Sequence, residues 1–390
     1  MNLKDKISLD KVFEKEYKVK LVELKNNKEA VITHFLHNSK NGVSQIFKKD
    51  AIKYTKEILQ YEYPTEEISN IVAEEALQYG IFDTFEIPFP PVENPKFKFI
   101  DLFAGIGGFR LAMQNLEGRC VFTSEWDKDA KRTYKANFGE RPFGDITKEE
   151  IKAFIPDNFD LLCAGFPCQA FSIAGKRGGF EDTRGTLFFD VAEIIKRKQP
   201  KAIFLETQII NAKDFGVPQN RERIYIVGFH PSTNVKEFSY PKPLDKKITF
   251  GDIKEKKVPA TKYFLSTQYV QTLVNHKARH EGKGNGFGYA IISDNEIANA
   301  VVCGGMGRER NLVLDHRITD FTPTTHIKGT VNREGIRKMT PREWARLQGF
   351  PDDFLIPVAD ASAYKQFGNS VAVPAIQATA KEILKLINKL

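Results

Sequence analysis

Cys168 stands between Pro167 and Gln169 in the stretch AGFPCQAFS, directly after the apolar run FDLLC. A thiol on a turn at a strand end, near a helix N-terminus or cationic groups, has its pKa lowered and can act as a nucleophile. The other three cysteines offer less. Cys120 and Cys163 sit in apolar strand-like runs and read as small buried hydrophobes, and Cys303 lies in a glycine-rich loop. No CxxC spacing and no Cys/His cluster occurs, so neither a disulfide framework nor a metal site is indicated. Two later strand ends supply partners for the thiol. Glu206 closes KAIFLE, where a partly desolvated carboxyl group could give or share a proton. Arg221 and Arg223 alternate in PQNRERIYIVGF, which would point both side chains to one face of an incipient strand, unless they are simply salt-bridged edge residues.

A second constellation precedes these residues. In FIDLFAGIGGFRLA a strand runs through Phe103 into a turn holding Gly105, Gly107 and Gly108, and the turn opens a helix. Such glycines let the backbone approach a ligand at the helix N-terminus. About twenty residues on, where doubly wound nucleotide binders keep the acid that holds a ribose diol, comes SEWDKDA. Glu125 would be that acid, with Trp126 free to stack on a purine. Asp145 in FGDIT follows the next expected strand. A glycine turn and a ribose acid without a phosphate-loop lysine suggest an adenosyl ligand lacking a pyrophosphate, and S-adenosylmethionine fits. The competing reading is a capped helix with two surface carboxylates.

These residues need a scaffold that brings strand ends together. From residue 97 short apolar strands alternate with helices: KFKFIDLFAG, FRLAMQNL, RCVFTSE, KDAKRTYKANF, DLLCAGF, TLFFDVAEIIKRK, KAIFLE and RIYIVGF. Alternation of this kind predicts an α/β fold with a doubly wound, mostly parallel sheet, whose ligands bind beyond the carboxyl ends of the strands. Residues 1–92 read as a separate, mainly helical extension. It carries helices in SQIFKKDAIKYTKEILQYEY and in PTEEISNIVAEEALQYG, the second started by Pro64 and Thr65, and is followed by the Pro-rich linker EIPFPPVENP. After Phe229 the alternation stops, and residues 231–359 predict a small domain with little regular structure. It ends on the helix of TPREWARLQGF, capped by Thr340 with Pro341 and Glu343 in its first turn. Residues 360–390 return to the α/β domain of 97–230.

Charge is unevenly placed. Residues 231–340 hold 18 Lys and Arg against 11 Asp and Glu, with four of the seven histidines, which suits a phosphate backbone as partner. No apolar run is long enough to span a membrane, and the N-terminus lacks the apolar core of a signal peptide, so a cytoplasmic protein with no membrane partner is expected.

With these residues assembled, the chain resembles the DNA (cytosine-5)-methyltransferases. DLFAGIGGF, GFPCQAFS, GTLFFD, QNRERIYIVGF, RKMTPREWARLQGFP and QFGNSVAVP occur in the family's order, and the likeness covers residues 97–390. The resemblance implies that Cys168 attacks carbon 6 of a cytosine flipped out of duplex DNA, and that carbon 5 then takes the methyl group of S-adenosylmethionine. It also implies that Glu206 contacts cytosine N3 and Arg223 the cytosine carbonyl oxygen, with Gln219 and Arg221 holding that site. The cofactor would lie against Phe103, the glycines of its loop, Glu125, Trp126, Asp145, Ile146, Pro167, Leu187, Asn369 and Ser370. Residues 231–359 would be the target-recognition domain, with Arg308 and Arg310 as readers of base or backbone. A monomer on DNA, serving a restriction-modification system beside a cognate endonuclease, is expected. A catalytically silent DNA-binding protein on the same scaffold and an RNA cytosine methyltransferase are the alternatives.

One stretch departs from the family. Where its members read Glu-Asn-Val and continue through a helix and a further strand, this chain runs FLETQIINAKDFGVPQNRERIYIV, with Thr207 and Gln208 after Glu206 and a few dozen residues absent. Only 17 residues separate Glu206 from Ile224, broken by Gly216 and Pro218. Adjacent parallel strands need a crossover of about a dozen residues or more. The sheet is therefore expected to lose a strand and a covering helix or to rebuild its path, and methyl transfer to be feeble.

Overall fold

The computed structural model describes residues 7–9, 11–12, 24–39, 42–80, 82, 87–165, 187–205, 210–223, 225–245, 247–282, 288–303 and 308–389. Pro167, Cys168 and Glu206 lie outside the described residues. Two compact units are present. The first comprises Met1–Thr207, Tyr225–Ser239 and Ala380–Leu390, and the second Gln208–Ile224 and Tyr240–Thr379.

The first unit is built on strands β1 (Phe97–Leu102), β2 (Gly118–Ser124), β3 (Leu161–Ala164), β4 (Ala202–Leu205) and β5 (Ile226–Phe229), in the order β2-β1-β3-β4-β5. The first four run parallel, and nearly every residue of β1, β2 and β3 is buried. Such sequences read as continuous apolar runs because helices cover both faces of a parallel sheet. β5 instead pairs antiparallel with β4, Leu205 opposite Ile226, and it ends the sheet. Twenty residues separate β4 from β5, and the chain returns beside the strand it has just left, in the opposite direction.

Three helices lead the unit: α1 (Leu24–Asn38), α2 (Gln45–Glu62) and α3 (Asn70–Gln78). The third starts later than Pro64 and Thr65 suggest, because Ser69 is its cap and accepts a hydrogen bond from the Val72 amide at 3.2 Å. These helices share one hydrophobic core with the sheet: Val31, Phe47 and Leu59 pack in the same cluster as Phe122, Phe143, Ile155 and Leu162. Helices α4 (Gly108–Gln114), α5 (Lys128–Phe138) and α6 (Leu187–Lys198) also belong to the unit. Asp127 caps α5 by accepting from the Ala130 amide at 2.9 Å, and Gly139 ends it in the left-handed conformation. The strand expected before Asp145 is reduced to a single bridge between Phe143 and Ser124.

The second unit is more regular than its glycine-rich sequence suggests. It contains the 15-residue helix α7 (Thr267–Glu281) and a sheet of β6 (Ala290–Ile292), β7 (Asn311–Leu314) and β8 (Ile336–Lys338), with β7 central. Behind them come α8 (Pro341–Leu347), α9 (Asp360–Asn369) and α10 (Val373–Leu386), whose turns from Ala380 belong to the first unit. A reciprocal capping box closes the start of α8, where Thr340 and Glu343 each bond the other's backbone amide. Arg337, fully buried, ties β8 to this turn by donating to both Glu343 oxygens at 2.8 Å and to Asp315 at 2.9 Å. Segment 210–223 forms two-residue ladders in this unit, Ile210–Asn211 with Glu222–Arg223 and Gln219–Asn220 with Ala298–Asn299.

Candidate active site

The parallel register places the carboxyl ends of three strands side by side. Leu102 is opposite Ser124 on one side and Ala164 on the other, and Ser124 is bridged to Phe143. Everything the sequence assigns to the cofactor in the first unit, where described, leaves from this rim or begins the helix beyond it.

After β1 the chain turns sharply. Phe103 and Gly105 both adopt φ of +55°, and Gly107, at +88°, precedes α4. Gly107 is required twice over, since its φ is left-handed and a Cβ there would lie 2.3 Å from the Phe138 ring. Glu125 locks the turn: its Oε2 accepts from the Gly105 amide at 2.8 Å, and its Oε1 accepts from the amides of Trp126 and Asp127 at 2.8 and 2.7 Å. Burial pushes the Glu125 pKa above the usual carboxylate range, against the pull of those three amides. Beside it Trp126 is 80% exposed, a large aromatic surface left open to a planar ligand. Asp145 accepts from the Thr147 amide and hydroxyl at 3.0 and 2.9 Å, and Ile146 is buried next to it. Leu187 begins α6 and is half-buried. Beneath the rim, Asp101 is wholly buried, and burial pushes its pKa up to about 8 despite the nearby charge of Arg110. Arg110 in turn donates to Glu140 at 2.6 Å and to Tyr134 at 3.0 Å, joining α4 to α5.

In the second unit Arg221 and Arg223 differ in surroundings, although alternation assigns them to one face. Arg221 is buried and donates to the carbonyls of Val301 at 2.7 Å, Gly368 at 3.1 Å and Ser370 at 2.7 Å. Gln219 works alongside it, accepting from the Val301 amide at 2.9 Å and donating to the Leu347 carbonyl at 2.9 Å. These two residues stitch the 301 loop to the ends of α8 and α9, so the segment with Asn369 and Ser370 is fixed from behind. Arg223 is half-buried and donates to the Glu222 carbonyl. Asn369 is exposed and accepts from the Cys303 thiol at 2.6 Å. Arg308 and Arg310 are both exposed, with Arg308 over the Tyr364 ring.

A buried carboxylate thus stands beside an exposed indole at the mouth of a glycine turn. The comparisons with known proteins say which chemistry surrounds it. A family profile described as C-5 cytosine-specific DNA methylase matches residues 97–207 and 206–385, which is most of the chain. The chain belongs to that family. Methyl transfer to carbon 5 of cytosine in DNA is accordingly its reaction. This methylase is 67% identical over 356 residues to the Type II methyltransferase M.HpaII of Haemophilus parainfluenzae, a match covering 82% of this chain and 98% of that protein. It is 44% identical over 335 residues to the Type II methyltransferase M1.ScrFI of Lactococcus lactis subsp. cremoris, covering 77% and 82% of the two chains. Its fold resembles that of the Entamoeba histolytica methyltransferase EhMeth, with a TM-score of 0.57 at 16% identity over 75% of this chain and 99% of that one. The S. pombe Dnmt2 methyltransferase gives 0.56 at 17% identity with the same coverage.

The shortened connection shows in these matches too. The profile matches the methylase in two pieces that meet at residues 206 and 207. The M.HpaII match spans 356 positions while 82% of 390 residues is about 320, so about 36 positions of that relative face nothing here.

Sequence reasoning missed α1 and what it does. Its residue His34 bonds the backbone of β2 at Thr123, and Thr33 and Asn27 bond the backbone of Arg141 and Gly144 on either side of Phe143. Three asparagines, a threonine and two histidines in LKNNKEAVITHFLHN disguise the inward face of a helix, because that face is polar by purpose.

Proposed function

We propose that the methylase takes its methyl group from S-adenosylmethionine and acts on duplex DNA as the modification half of a restriction-modification system, as a monomer beside a cognate endonuclease and in the cytoplasm. The observation that carries the cofactor is the Glu125 carboxylate held by three amides with exposed Trp126 beside it. A purine stacks on the indole, the ribose diol meets Glu125, and Asp145 and Ile146 edge the adenine. S-adenosylmethionine supplies an electrophilic methyl group there. Cys168, by its match to the family motif, adds as a thiolate to carbon 6 of the flipped cytosine, making carbon 5 the nucleophile; loss of the carbon 5 proton and expulsion of the thiolate then restore the ring. Glu206 and Arg223 hold the cytosine edge at N3 and the carbonyl oxygen, and the basic recognition domain carries the DNA contacts.

We also propose that turnover is slow. The reading rests on the few dozen residues absent after Glu206 and on the sheet ending at the antiparallel β5 directly beside β4. Transfer of tritiated methyl groups to DNA measures the rate, and a turnover equal to that of M.HpaII refutes slow chemistry. A covalent trap with 5-fluorocytosine DNA separates slow from silent: a slow adduct at Cys168 is expected, and its absence in folded protein would make this a DNA-binding scaffold.

A further inference from the structure

Helix α1 lies along the outer side of β2, where a neighbouring strand is nearly absent. Phe143 makes the one bridge there, donating to the Thr123 carbonyl at 2.9 Å and accepting from the Glu125 amide at 2.9 Å. The amides around that bridge are met by side chains of α1. His34 Nε2 accepts from the Thr123 amide at 3.1 Å, Thr33 Oγ1 from the Arg141 amide at 3.1 Å, and Asn27 Oδ1 from the Gly144 amide at 3.0 Å. Three side chains thus satisfy backbone donors that another strand would take. His34 must be neutral to accept at Nε2, with Nδ1–H donating to the Ala30 carbonyl at 2.8 Å. It is fully buried, with Phe47, Phe122 and Phe143 packed around its ring.

Two of these contacts fall beside the methyl-donor cradle. Thr123 is two residues before Glu125, and Gly144 directly precedes Asp145 and Ile146. The Thr33 contact, at Arg141, lies further along the chain from both. We propose that Asn27 is a positioning residue for the methyl-donor pocket: by fixing the Gly144 amide it sets where Asp145 and Ile146 meet the adenine edge, so the leading segment takes part in cofactor binding. The inference rests on the reading of Glu125, Trp126, Asp145 and Ile146 as that pocket.

The test is S-adenosylhomocysteine affinity by calorimetry, with thermal unfolding, on the full chain. Asn27→Leu keeps the size and removes the acceptor, and is expected to weaken binding about tenfold with little change in Tm. Asn27→Asp restores an acceptor oxygen and should return the affinity to within about twofold. Thr33→Val removes the neighbouring contact and should lower Tm while leaving affinity unchanged. Should Asn27→Leu fail to fold, Asn27→Ala carries the same expectation. Glu125→Gln, which perturbs the pocket itself, is the reference. If Glu125→Gln binds weakly and the Asn27 variants bind like the parent, the positioning role is wrong. If Asn27→Leu and Thr33→Val both lose affinity in step with their Tm, α1 acts only through general stability and the proposal also falls. If Glu125→Gln binds like the parent, the pocket reading itself has failed.

Discussion

Replacing Glu125 by glutamine changes one atom and asks how much of the cradle is electrostatic. The carboxylate takes three amide hydrogen bonds at 2.7–2.8 Å, two on Oε1 and one on Oε2. A glutamine keeps its carbonyl oxygen toward Trp126 and Asp127 and turns its NH2 group toward the Gly105 amide, so two donors meet. One charge-assisted bond is lost and a backbone amide is left unpaired, which costs about 1.5–3 kcal/mol. Part is recovered because the neutral side chain escapes the burial penalty that pushes the Glu125 pKa up. The net expectation is about 1–2 kcal/mol in urea unfolding. Ligand binding loses more, because the diol meets a weaker acceptor and the Gly105 turn is no longer held; about 1.5–3 kcal/mol corresponds to roughly 10–100-fold. Calorimetric titration with S-adenosylhomocysteine reads the second figure directly. An affinity within twofold of the parent, with the stability loss present, would show that the carboxylate only braces the turn and that the ribose lies elsewhere.

Asp101→Asn tests the buried acid below the rim. Its folded pKa, about 8 against an ordinary 3.8, means that between those values the folded chain keeps a proton the unfolded chain releases. Stability therefore falls as pH rises from about 4 through about 8, by several kcal/mol at most, and the asparagine variant lacks this slope. Urea unfolding at pH 5 and pH 8.5 should show the variant gaining on the parent at the higher pH, and parallel profiles refute it. Phe47→Ala removes a fully buried α2 ring that stacks at 6.2 Å on Phe143 and 6.1 Å on Phe154. It should cost about 3–5 kcal/mol while unfolding of the first unit stays cooperative. A leading segment that melts alone, ahead of the sheet, would contradict the shared core.

The strands, their order of appearance and the glycine turn were legible because each is a local pattern: an apolar run, a capped helix, a residue forced to positive φ. The place of Glu125 directly after β2 was legible as well, since its spacing after the turn reflects how far a βα unit carries the chain. The role of Arg221 was not. Three carbonyls up to 149 residues away give it its place, and nothing in NRER distinguishes a buried clamp from an arginine free to meet a substrate. Helix α1 escaped notice for a related reason, because the partners that justify a half-buried Asn and a buried Thr and His lie about a hundred residues on. Residues 231–359 looked irregular because the strands there are three or four residues long, too short for a period to show.

The two ends of the central sheet are finished differently, and this governs how the protein behaves in concentrated solution. An open strand edge is a template on which another chain can pair and aggregate. At the β2 end that template is occupied, His34 of α1 taking the Thr123 amide and Phe143 the Glu125 amide. At the β5 end, where the chain is short, the strand reads Ile-Val-Gly-Phe, without the lysine or proline that usually blunts an edge, and among the described residues no strand pairs with its outer side. Association between copies, when it occurs, should begin there, so this end of the sheet weighs on solubility as well as on the fold.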